Sequence, residues 1–167
     1  MPDGPFEILL NPGRISFAGE EVLLDLELLL VNRSGEAADD VRVAFGATSA
    51  RPDQDALSAR FHSGPPGQPA GPPFDLAAGE GTRLPVRLAM PRAGLHVVTV
   101  AGRPMFVPLV LVDLRWRGGL SIRRFGGDFL LGTPGQGGKL GPIWLDRPAP
   151  AGPLAANRYA AKAVALA

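Results

Sequence analysis

The sequence predicts an all-β fold, an antiparallel β-sandwich with long Pro/Gly-rich loops, and three observations carry that expectation. Glycine and proline supply 22 and 18 of the 167 residues, about twice the usual share of about 12%. Turns therefore break the chain too often for long helices. Several runs alternate apolar and polar residues with the period of two that a half-buried strand requires. Turn signals separate these runs about every 8–12 residues, the spacing of short strands in a sandwich. Hydrophobic residues make up 46% of the chain, enough for one core in one domain spanning residues 1–167.

Taken in order, "FEILL" (6–10) reads as a short apolar strand closed by the turn "NPG" (11–13). In "RISFAGEEVLLDLELLLVN", Leu and Glu favour helix locally, but Val22, Leu24, Leu26, Leu28 and Leu30 form an unbroken period-two face. No cap or glycine stop brackets the run in helical register, so it is assigned as a strand. "VRVAF" (41–45) follows a hairpin-like turn, and "LSARF" (57–61) alternates as a strand does. The stretch "HSGPPGQPAGPP" (62–73) is an exposed polyproline-like loop. "TRLPVRLAM" (82–90) carries Pro85, which has no N–H for a ladder and so marks an edge strand. "GLHVVTVAG" (94–102) is a further strand. Gly118-Gly119 joins "FVPLVLVDLRWR" (106–117) to "LSIRRF" (120–125) as a tight hairpin. With a two-residue loop at those glycines, Trp116 faces Ser121 and Asp113 faces Arg124 as a cross-strand ion pair. "DFLLG" (128–132) and "PIWLD" (142–146) are expected as the last central strands, and the tail 148–167 is open between helix and strand.

Eight or nine short strands of this kind predict a sandwich of immunoglobulin-like type, with a closed β-barrel as the alternative. The segment "LELLLVNRSGEAADDVRVAF" resembles the strand–turn–strand unit of bacterial immunoglobulin-like envelope domains. "RPMFVPLVLVDLRWRGG" and "DFLLGTPGQGGKLGPIWLD" are similar to segments of uncharacterised envelope-associated proteins of Gram-negative bacteria. The resemblance spans roughly residues 6 to 147 and implies an envelope location. It implies no activity and no catalytic residue.

Composition excludes several functions. The formal net charge is +1, so no bulk basic field suggests nucleic acid or an anionic membrane. Only Lys139 and Lys162 are lysines, and the excess of Arg reads as codon bias in a GC-rich genome. The absence of Cys removes disulfides, thiolate nucleophiles and Cys-ligated metals. No run is apolar and long enough to read as a membrane-spanning helix. "MPDGPFEILL" has no basic n-region or apolar h-region. The expected location is the periplasm or cell envelope if an export segment has been removed, and the cytoplasm otherwise.

Individual motifs carry little chemistry. "LLGTPGQGGKLGPIW" (130–144) invites comparison with a phosphate loop, but Lys139 is followed by Leu140, Thr133 stands where the first glycine belongs, and no helix can begin at Pro142. It reads as a hairpin loop. His62 and His96 have no ligand partners at metal-like spacing. Glu36 with Asp39-Asp40, and the pair Asp53/Asp55, lack the remainder of a calcium loop and read as turn acids. Asn32-Arg33-Ser34 matches a glycosylation acceptor by chance in a composition of this kind. No nucleophile elbow is present, and no cofactor is expected.

One constellation stands out as a partner-binding candidate: Arg115, Trp116, Arg117, Arg123 and Arg124 around the Gly-Gly hairpin. Guanidinium groups fork onto carboxylates and phosphates, although charge runs are ordinarily solvated faces. The expected function is a non-enzymatic structural or protein-interaction domain of an envelope or multi-protein assembly, partnered by another protein or by itself. The alternative is a binding module for carbohydrate or another small ligand, using Trp116 or Trp144 beside Asp and Arg.

Overall fold

The computed structural model describes residues 4–160. Their strands are β1 (Phe6–Ala18), β2 (Glu21–Asn32), β3 (Ala38–Ser49), β4 (Phe74–Leu76), β5 (Gly81–Pro91), β6 (Val98–Val100), β7 (Arg103–Phe106), β8 (Pro108–Gly118), β9 (Ser121–Pro134), β10 (Leu140–Gly141), β11 (Ile143–Trp144) and β12 (Ala155–Tyr159). One α-helix, α1 (Gln54–Ser63), interrupts them. The antiparallel sheets are β1-β2-β5, β10-β9-β8-β3-β4 with β12 also on β9, and β11-β7-β6. None closes into a barrel, and the fold is an all-β sandwich.

The period-two face of β2 is what makes the core. Val22, Leu24, Leu26, Leu28 and Leu30 are all buried, and they pack with Phe6, Ile8 and Ile15 of β1 and Met90 of β5. The inner face of the larger sheet supplies Val41, Val43, Val110, Val112, Leu114, Trp116, Phe129 and Leu131 to the same cluster. Helix propensity of Leu and Glu in β2 is overridden because only the strand period puts all five apolar residues on one side. β5 lies at the edge of its sheet with Pro85 in it, opposite Glu27 of β2, as a proline without an N–H requires.

β8 is buried on both faces. Its even residues enter the core, whereas Leu109, Leu111 and Asp113 lie on the opposite face. α1 covers part of that second face: a side chain on Gly46 of β3 would meet Phe61 of the helix and Leu111 of β8.

The structure corrects several expectations. Residues 57–61 belong to α1, not to a strand, and the loop begins only after Ser63. "NPG" is no turn: β1 runs through it with a bulge between Pro12 and Ile15. Residues 128–132 continue β9, and the "PIWLD" strand is reduced to Ile143–Trp144 on β7 rather than a central position. Only Val98–Val100 of 94–102 is strand, after a 3-10 turn at Arg92–Gly94. Part of the open tail is strand, β12, while residues 161–167 lie outside the described residues.

Candidate partner-binding surface

The β8–β9 hairpin builds the site. Gly118 pairs with Ser121, so the two-residue turn is Gly119-Leu120, with Gly119 at a φ of +62°. A residue with a side chain rarely adopts that φ, and glycine adopts it freely. The register is therefore offset from the expected one: Trp116 faces Arg123, Arg115 faces Arg124, and Asp113 faces Gly126. The expected Asp113–Arg124 pair nonetheless forms, along the diagonal, with Arg124 Nε at 2.9 and 3.0 Å from the two carboxylate oxygens.

That ion pair belongs to a buried polar cluster between α1 and the sheet. Asp113 and Asp128 are 2% and 4% exposed. His62 of α1 stands between them, with Nε2 2.6 Å from Asp128 Oδ1 and Nδ1 3.6 Å from Asp113 Oδ1. The second distance lies just beyond hydrogen-bond range, so Nδ1 is buried without a partner, although Asp113 still favours its protonated form. Burial favours the neutral imidazole, but the two carboxylates together outweigh it and raise the His62 pKa from 6.5 to about 9. Two cations, His62 and Arg124, thus face two buried anions.

The remaining bonds of the cluster fasten the helix. The Ser58 hydroxyl donates to Asp128, and Arg124 donates to the carbonyl oxygens of Phe61 and Gly64 at 3.0 and 2.6 Å. Those carbonyls lie at the helix C-terminus, where a cation is favoured. From β12, the Tyr159 hydroxyl donates to Asp55 at 2.5 Å, and this bond holds the phenol above its usual range. Ser58 is the only buried residue of α1, so polar pins rather than an apolar stripe hold this helix down.

The cluster differs from a Ser-His-Asp triad in its order of bonding. Ser58 is bonded to the Asp128 carboxylate and not to the imidazole, so it does not form the serine–imidazole pair of a hydrolytic triad. The carboxylates sit at opposite ring nitrogens of His62 and do not converge on a common point for a metal ion. Asp40, Asp53 and Asp55 are engaged with Arg42, Arg51 and Tyr159 respectively.

The hairpin arginines separate into two kinds. Arg124 is fully used inside the protein, and Trp116 is buried with its ring edge-on to Phe6 at 4.8 Å. Neither is free to hold a partner. Arg115, Arg117 and Arg123 have no ion pair among the described residues, as is also true of Arg14, Arg60, Arg92 and Arg158, whereas Arg33, Arg42, Arg51, Arg83, Arg87 and Arg103 are each paired to an acid. Arg42, Arg115 and Arg124 also stand directly opposite one another across β3, β8 and β9, an arrangement of like charges that costs stability. Around them Leu120 is fully exposed and Ile122 is 66% exposed.

Beside the hairpin runs a groove of about 780 Å³ between β1, β9 and β12, with Phe6, Leu9, Phe125, Gly127, Arg158 and Tyr159 among its walls. β12 pairs with β9 only over Asp128–Gly132. Residues 121–127 of β9 therefore have one strand edge that no described residue pairs with. Counting from the Gly118–Ser121 pair that closes the turn, the backbone groups of Ile122, Arg124 and Gly126 point out of that edge, where the Gly126 oxygen already accepts from the Arg158 guanidinium at 3.4 Å. Trp144, the other aromatic candidate, lines a separate groove of about 420 Å³, with Arg103 and Arg147 over its ring at 4.8 and 5.4 Å.

No protein-family model, curated protein or solved structure matches this chain.

Proposed function

We propose that this protein is a non-enzymatic interaction domain of a bacterial cell-envelope or multi-protein assembly, and that its partner docks along the β9 edge at residues 121–127, unpaired among the described residues. The edge at residues 121–127, which no strand pairs with among the described residues, carries this reading, with outward backbone groups at Ile122 and Arg124 and the outward amide of Gly126. Strand addition at such an edge gives affinity through main-chain hydrogen bonds and specificity through alternate side chains. Exposed Leu120 and Ile122 offer apolar contact. The unpaired Arg115, Arg117 and Arg123 favour an acidic partner, because a guanidinium without an internal counter-ion is available to a carboxylate. The envelope setting rests on the resemblance of the strand motifs to envelope-associated proteins.

Affinity capture from native envelope and soluble extracts tests the reading, with the wild type compared against Arg117→Glu/Arg123→Glu. A stoichiometric protein retained by the wild type and lost by the double variant supports it. Recovery of the same proteins by both, or of none, contradicts it. The carbohydrate reading has less geometry behind it: Trp116 has no exposed ring, and guanidinium groups already occupy the Trp144 ring.

A further inference from the structure

We propose that β6 is a self-recognition edge, pairing antiparallel with β6 of a second copy of this chain. β6 is the terminal strand of its sheet, and Val97, Val98 and Val100 are 42, 39 and 45% exposed. Exposed sheet edges are ordinarily guarded by charge, proline or a bulge, because an unguarded edge is a template for another strand. The outer strands of the first sheet are guarded, and the β9 edge carries Arg123 and Arg124. β5 carries Pro85 with Arg83 and Arg87, and β1 carries Pro12 and its bulge. β6 is short, but it carries no charge, proline or bulge, and residues 93–102 contain no Asp, Glu, Lys or Arg.

The backbone is set for such a pairing. β6 and β7 are joined by Ala101-Gly102, with φ of +52° and +78°, and Val100 pairs with Arg103 to close the turn. From that closing pair, Thr99 is the residue whose N–H and C=O point out of the sheet. Its partner across the strands is Pro104, whose carbonyl points the other way and accepts from Leu145 N–H at 3.0 Å. A two-fold axis through Thr99 sets Thr99 against Thr99 of the second copy with two mutual hydrogen bonds. It also sets Val98 against Val100, so each apolar side chain meets another and no like charges oppose.

A second copy is the occupant because the edge is self-complementary and uncharged. The arginine-bearing hairpin is neither, and repels its own image. The strand is three residues long, so the dimer belongs among weak, small interfaces.

Sedimentation velocity from about 10 μM to about 1 mM, a range chosen for an affinity of that order, tests the proposal. The wild type should move from the monomer mass of 17.5 kDa to twice that mass. Thr99→Pro, which removes the outward N–H, and Val98→Lys, which guards the edge while leaving the backbone intact, should both remain monomeric with unchanged circular dichroism. A wild type that stays monomeric throughout overturns the proposal. So does a dimer that survives both substitutions, or one dissolved instead by Arg117→Glu/Arg123→Glu. The last variant belongs to the β9-edge reading, so the two ideas fail separately.

Discussion

Arg124 holds both carboxylate oxygens of Asp113 although Gly126, not Arg124, is the residue opposite Asp113 in the sheet. The guanidinium reaches two residues forward along β9 and also ties down the C-terminal carbonyls of α1. One side chain thereby links helix, β8 and β9. Asp113→Ala should cost about 3–5 kcal/mol, since it leaves Arg124 and His62 facing one another without their shared anion. Urea unfolding measures this. Replacing both partners, as in Asp113→Leu/Arg124→Met, should cost clearly less than the sum of the single substitutions.

Stability should depend on pH through His62. Its folded pKa, about 9, lies above the ordinary 6.5. The protonated form is therefore the one favoured by folding. Its contribution is complete below about pH 6.5 and disappears as pH rises through about 9. A rise of that size corresponds to at most about 3 kcal/mol, reduced by the partial exposure of the ring. Thermal unfolding at pH 6 and pH 9.5 should show the loss in the wild type and a flatter profile in His62→Gln.

Gly126 owes its identity to close approach. A Cβ there would lie 2.5 Å from the Val112 carbonyl oxygen and 2.5 Å from His62 Nδ1. Gly126→Ala should destabilise by about 1–3 kcal/mol, the range for overpacking. It should also lower the His62 pKa by displacing the ring, which NMR titration of the imidazole reads directly.

Ala101 is held at a φ of +52° in the β6–β7 turn, next to Gly102 at +78°. An alanine pays about 1 kcal/mol or more for that left-handed conformation. Ala101→Asn or Ala101→Gly should raise stability by up to about 1 kcal/mol without altering the strands. An unchanged or lower melting temperature would contradict the assigned turn.

How much of this was legible depends on the kind of signal each element carries. β2 was readable because five apolar residues repeat with period two, and their burial makes the core. The Asp113–Arg124 pair was also readable, since opposite charges on adjoining strands attract even along the diagonal. Its register was not, because two adjacent glycines, Gly118 and Gly119, leave the position of the turn open by one residue. α1 was missed for a physical reason: Ser58 is its only buried residue, so it has almost no apolar stripe to find. The available hints were Asp53 before the helix and Gly64 after it. The polar cluster had a hint as well. Asp113 and Asp128 interrupt the apolar runs "VPLVLVDLRW" and "GGDFLL", and a carboxylate inside a buried strand demands a counter-ion. That the counter-ion includes His62 could not be read, because the helix brings it from a distant part of the chain.

Amide hydrogen exchange on β9, with and without the protein captured by the wild type, tests the central claim most directly. The account predicts that the outward amides of Ile122, Arg124 and Gly126 become protected in the complex, while those of β5 do not change. Protection confined to other strands, with the β9 edge exchanging as in the free protein, would contradict it.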